Sequence, residues 1–126
     1  MSKIILSFAL LLAFVCVEAQ VPMDFLGSLS YTQDMSDVWG FEKNGSEYAI
    51  ATTFTGTSFV DVTDPTNPVE LFFVSGPNSF WRDAKDFNQD YVYVINETGG
   101  GLQIFDLTNF PAVSYTHLTL PTICSV

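Results

Sequence analysis

Histidine occurs once in this chain, as His117, and cysteine twice, as Cys16 and Cys124. Between the two cysteines no thiol is available, so no disulfide staples the intervening residues. A segment without staples has to draw its stability from a sizeable core. The scarcity of histidine also removes Ser-His-Asp and Cys-His catalysis, and zinc sites of the usual kind, from most of the length. Positive charge is equally short: 4 Lys+Arg stand against 14 Asp+Glu, a formal net charge of −10. An acidic surface of this kind repels phosphate backbones and argues against a nucleic-acid partner.

Long apolar runs are missing beyond the N-terminus. The single one, Ile4 to Val17, follows Lys3 and leads into Val17-Glu18-Ala19. A basic start, a short apolar stretch and small residues at the −3 and −1 positions predict a secretory signal peptide over 1–19, cleaved between Ala19 and Gln20. The run falls short of the roughly 20 residues that span a bilayer, so no stable membrane span is expected in the mature chain. The expected location is extracellular or at the cell surface.

What is abundant is β-forming residues in a repeated order. Tyr91 to Asn96 and Leu102 to Leu107 are Tyr-, Val- and Ile-rich runs separated by Gly99-Gly100-Gly101. Glycine adopts φ > 0 freely, so the pair reads as a β-hairpin. The same design stands earlier, from Tyr48 through Gly56 to Asp61, with Tyr48 matching Tyr91 and Asp61 matching Asp106. Upstream, Asp37 to Phe41 matches Asp83 to Phe87. A period of about 45 residues with four short strands per unit is the signature of a propeller blade. The fold class expected is all-β, an antiparallel β-propeller-like arrangement of about two four-stranded blades, near 36–75 and 81–112, after a leader over 20–35. Strands are predicted near 37–41, 47–54, 57–62 and 69–75, then near 81–87, 90–96 and 101–107. Asn44-Gly45 is the first hairpin turn, and Pro65 and Pro68 forbid ladder pairing between the third and fourth strands. Phe25, Leu26, Leu29 and Tyr31 of the leader have the character of an outer strand.

A fourth strand of the second unit should follow Asn109-Phe110-Pro111. Instead Val113 to Thr122 spells the translation of a transposon-end adapter used in DNA library preparation, so 113–126 is expected to be foreign to the natural protein. His117 and Cys124 would then be artefacts. The competing reading is an ordinary Thr-rich last strand.

Candidate sites are acidic. Asp86, Asn88, Asp90 and Glu97 have an EF-hand-like spacing that would suit calcium, but Tyr91 stands where that loop needs glycine and strands flank it; a polar turn at Asn88-Gln89 explains it as well. No other cofactor is expected. Trp81-Arg82-Asp83 would present a carboxylate-recognising fork, or lock the two units together with Trp81 in the core and Arg82 paired to an acid. Asp37, Asp83 and Glu97 are the carboxylates available for acid–base work or for ligand binding. Asp61 and Asp106, ending equivalent strands, are expected to accept turn amides. Asn44-Gly45-Ser46 and Asn96-Glu97-Thr98 are N-glycosylation sequons if the source is eukaryotic.

Ser36-Asp37-Val38-Trp39-Gly40, Gly56-Thr57-Ser58-Phe59-Val60-Asp61, Asp64-Pro65-Thr66-Asn67-Pro68, Trp81-Arg82-Asp83 and Gly101 to Leu107 occur in an order that resembles the N-terminal part of the choice-of-anchor B proteins, which carry LVIVD-type repeats. The resemblance covers roughly residues 36 to 111. It implies an exported, surface-associated propeller, and it brings no catalytic residues with it. The function expected is a binding or adhesion scaffold for an extracellular protein or glycan. The alternatives are an extracellular hydrolase or lyase using acidic residues, and a structural surface component.

Overall fold

A computed structural model of the chain describes residues 23–118. The expected signal segment, its expected Ala19–Gln20 junction, both cysteines and the end of the tail lie outside the described residues. Eight strands follow one another: β1 Met35–Lys43, β2 Ser46–Thr53, β3 Gly56–Asp61, β4 Val69–Ser75, β5 Arg82–Phe87, β6 Tyr91–Asn96, β7 Leu102–Asp106 and β8 Ser114–Leu118. They form two antiparallel four-stranded sheets, each a simple meander in chain order. The chain is all-β over these residues, and among them no helix is long and apolar enough to cross a membrane.

Local chemistry sets the turns. Asn44 and Gly45 have φ of 56° and 81°, the doubly left-handed pair that matches strand twist in a two-residue hairpin. Gly99, Gly100 and Gly101 all have positive φ. Gly56 is different. It opens β3, after a turn at Phe54-Thr55, and a Cβ there would lie 2.3 Å from the Val74 carbonyl oxygen. Its glycine is needed for close approach of β4, not for a left-handed turn. Asp61 and Asp106 each accept the amide two residues on, from Thr63 and Thr108, both at 2.9 Å.

The last strand comes from the segment with the adapter-like sequence. Asp61 pairs with Val69 and Asp106 with Ser114, so β8 takes the place in its sheet that β4 takes in the first. Backbone pairing needs only an extended, proline-free stretch of suitable residues, and Ser114–Leu118 supplies one.

The two sheets pack face to face. Phe41, Ile50 and Phe59 from the first meet Ala84, Val92, Val94, Phe105 and Leu107 from the second, with Trp39, Tyr48, Phe72 and Phe110 closing the margins. Phe59 and Phe105 contact edge to face at 5.2 Å between ring centroids. Full burial of side chains of this size stabilises by about 1.5–3 kcal/mol each.

Polar links stitch β1 to β5 along the same interface. Trp39 Nε1 donates to Asp86 Oδ1 at 2.5 Å, and the Ala84 amide to Asp37 Oδ2 at 3.1 Å. Lys43, largely buried, donates to the Gln89 carbonyl at 2.8 Å and pairs with Asp90 at 2.9 Å. The leader, 23–34, is not a strand. It crosses the outer face of the first sheet, where Tyr31 Oη donates to Ser58 Oγ at 2.7 Å. Between leader and sheet lies an apolar cavity of about 350 Å³, lined by residues including Leu29, Met35, Ala51 and Val60.

Candidate functional site

Asp37, Arg82, Asp83 and Glu97 all line one groove of about 440 Å³ at the junction of the sheets, with Ser36, Trp81, Ile95 and Asn96. β1 delivers Asp37, the start of β5 delivers Arg82 and Asp83, and the end of β6 delivers Asn96 and Glu97.

Arg82 lines the groove without offering it a guanidinium. It is 1% exposed, and its Nε donates to the Thr53 carbonyl at 3.3 Å and its Nη1 to Gln103 Oε1 at 3.2 Å. Nη2 donates to the Pro77 carbonyl. Burial draws its pKa below the ordinary arginine value while the Glu97 charge works the other way, and an arginine remains cationic under such a shift. The fork therefore recognises the protein's own carbonyls. It is a lock between the sheets, though it pairs with carbonyls and an amide and not with an acid. Trp81 is not the core residue expected of that lock: it is 77% exposed, its indole facing solvent beside the groove.

The backbone beneath that indole is fixed. Glu97 accepts from the Phe80 and Trp81 amides, both at 3.1 Å, and from the hydroxyl of buried Ser79. The Ser79 hydroxyl has the largest effect in holding the Glu97 carboxyl below the ordinary glutamate value; burial comes next and works the other way, and the amides of Glu97 itself, Trp81 and Phe80 add to the lowering. Asp37 is also held low. Burial pushes it upward, but the Ala84 amide, Asp83, the Val38 amide and Lys85 together outweigh this. Lys85 bridges the pair, 2.7 Å from Asp83 and 3.4 Å from Asp37, and sits 4.4 Å over the Trp39 ring. Its own pKa is raised, chiefly by Asp83.

A general acid requires a carboxyl pushed upward to stay protonated near neutrality. Asp37 and Glu97 are both moved the opposite way. Three carboxylates against Lys85 and the Arg82 guanidinium beneath leave the groove close to electrical balance.

The calcium candidates are engaged elsewhere. Asp86 accepts from Trp39 and from the Gln89 amide, and Asp90 pairs with Lys43. Asn88 and Gln89 are left-handed turn residues, with φ of 55° and 60°. Among the described residues no three His, Cys, Asp or Glu side chains are grouped to hold a metal. The two sequons also part company. Asn44 sits exposed on its hairpin, whereas the Asn96 Nδ2 to which a glycan would be attached is enclosed, its Oδ1 accepting from Thr98.

No family model, curated protein or solved structure matches the chain. The groove has to be read from its own chemistry. Sequence reasoning missed Ser79, whose hydroxyl anchors Glu97, and Gln103, which receives Arg82. An inward-facing Gln amid Ile and Phe was the available signal for the second.

Proposed function

We propose that this chain is part of an exported, propeller-like binding scaffold, and that the groove beside Trp81 recognises a glycan. The reading of an exported propeller is supported by the signal-like N-terminus, by the two repeated sheets and by the resemblance to choice-of-anchor B proteins. The observation that carries the ligand class is the exposed indole on a backbone tied by Glu97, set beside Asp37 and Asp83. An apolar ring face with hydroxyl acceptors at its edge suits a polyhydroxylated, uncharged surface. Near balance of charge favours such a ligand over a basic peptide. A pre-tied backbone lowers the ordering cost of binding. The lowered pKa values of Asp37 and Glu97 weigh against the hydrolase or lyase alternative.

The test is a glycan-array screen of the full chain, followed by titration of the best glycan. Trp81→Ala should weaken binding at least about tenfold, equivalent to about 1.4 kcal/mol, with an unchanged unfolding midpoint. Absence of any glycan binding, or an affinity indifferent to Trp81, would overturn the ligand class. Selective capture of basic peptides would replace it with a protein partner.

A further inference from the structure

We infer that the apolar cavity between the leader and the outer face of β1–β4 is a binding site for a compact, uncharged, hydrophobic small molecule. The internal repeat shows how the room is made. Ala49, Ala51, Val60 and Val62 line the cavity. Their counterparts in the second sheet, set by the matches of Tyr48 with Tyr91 and Asp61 with Asp106, are Val92, Val94, Phe105 and Leu107. Those counterparts are fully buried in the core. At each position the first sheet carries the smaller side chain. Ala49 pairs with Val60, and Ala51 with Ser58, across β2 and β3, so the shortened side chains adjoin on one patch of the outer face.

The leader roofs this patch without filling it. The Phe54 amide donates to the Asp34 carbonyl at 2.9 Å, and the Tyr31 hydroxyl to Ser58 Oγ at 2.7 Å. Further back, Gly27 seats against the turn that follows β3, where an added Cβ would lie 2.6 Å from the Pro65 carbonyl oxygen. Leu29, between these ties, lines the space from the leader side, and about 350 Å³ is left. Packed protein interiors leave few voids larger than one water. An apolar cavity of about 150 Å³ stays dry and takes up benzene, so this one suits a body of about two fused rings. Its volume lies at the lower end of the range for small-molecule sites. A roof tied down in advance keeps the ordering cost of binding low.

Charge narrows the class. None of the described side chains lining the cavity is charged. Beside Tyr31, Ser58 Oγ donates to Glu70 Oε2 at 2.6 Å, and that carboxylate disfavours an anionic head group close by. A hydrophobic molecule without charge fits this lining, and a fatty acid or other carboxylate does not. The inference rests on the leader and the first sheet and not on the groove beside Trp81, so hydrophobic-ligand binding and glycan binding fail independently.

The experiment is isothermal titration of the full chain at neutral pH with 2-naphthol, which is uncharged there, and with 2-naphthoate, which has the same rings and a carboxylate. 2-Naphthol should bind with one-to-one stoichiometry, and 2-naphthoate at least about tenfold more weakly. The double variant Ala49→Val/Ala51→Val gives the first sheet the residues of the second. It should weaken 2-naphthol binding at least about tenfold without lowering the urea midpoint; Val60→Phe, which copies Phe105, replaces it should that variant not fold. A chain that binds no 2-naphthol, that binds 2-naphthoate equally well, or whose affinity is indifferent to filling the cavity would overturn the inference.

Discussion

Replacing Arg82 with methionine separates a lock from a ligand fork. Methionine keeps most of the stem volume, so little cavity opens, but three acceptors lose their donors: the Thr53 and Pro77 carbonyls and Gln103 Oε1. Each buried acceptor left unmatched costs about 1–3 kcal/mol. Relaxation and entering water recover part of the sum, and breaking a buried charged network typically costs about 3–5 kcal/mol. Domains of ordinary size hold only about 5–15 kcal/mol in total, so the variant should lie near the edge of folding. Urea unfolding followed by circular dichroism reads the effect directly. With a slope of about 1–3 kcal/mol per molar urea, the midpoint should fall by about 1 M or more. Asp83→Asn is the control: it removes an exposed pair with Lys85 and should cost no more than about 1 kcal/mol. A loss below about 1 kcal/mol for Arg82→Met, accompanied by lost ligand binding, would refute the lock and restore the fork.

Three further outcomes are expected. Glu97 has a depressed folded-state pKa, so the stability it contributes is present above its unfolded value, near 4.5, and is lost as pH falls through the lower folded value; tryptophan emission should report release of the 79–81 loop in that acid window, and Glu97→Gln should make the emission flat there. Trp39→Phe keeps an aromatic ring but loses indole volume together with the donor to Asp86, so the hydrogen bond's share, about 1.5–3 kcal/mol as for hydrogen bonds to charged groups, is read as the coupling in a double-mutant cycle with Asp86→Asn; a cycle that shows no coupling would contradict it. Secretion from a eukaryotic host should yield a glycan at Asn44 and none at Asn96, read by peptide mass spectrometry after amidase deglycosylation in oxygen-18 water, which marks each former glycan site as labelled Asp.

The strands and their turns were legible because their signals are local. Asn44-Gly45, the triple glycine and the paired prolines act within a few residues of themselves, and the repeat of Tyr48 at Tyr91 fixed the correspondence of the two sheets. Side-chain direction at Trp81-Arg82 was not legible from residue type, which favours indole inside and guanidinium outside. Strand phase overrules it. Ala84 faces Val92, Val94 and Phe105 in the core, and Arg82, two residues before it, has to face the same way. A one-residue slip would exchange the two, and the apolar phase of β6 was the clue available. The candidate carboxylates could be named but not grouped, since their convergence depends on β1 lying beside β5. The leader's course has no period to betray it; Tyr31's bond to Ser58 and the Phe54 amide's bond to the Asp34 carbonyl fix it.

The Asp-x-Thr turns that close β3 and β7 have a consequence for how such a chain changes over generations. Asp61 and Asp106 are satisfied within two residues of themselves, and Val62 and Leu107 donate to the Glu47 and Asp90 carbonyls of their own sheets. Each of these turns closes itself and asks nothing of the other sheet. Rejoining the chain between the two equivalent turns strands no polar group of the turn, so the constraint on gaining or losing a unit falls instead on the Trp39–Asp86, Asp37–Ala84 and Lys43–Asp90 links between sheets.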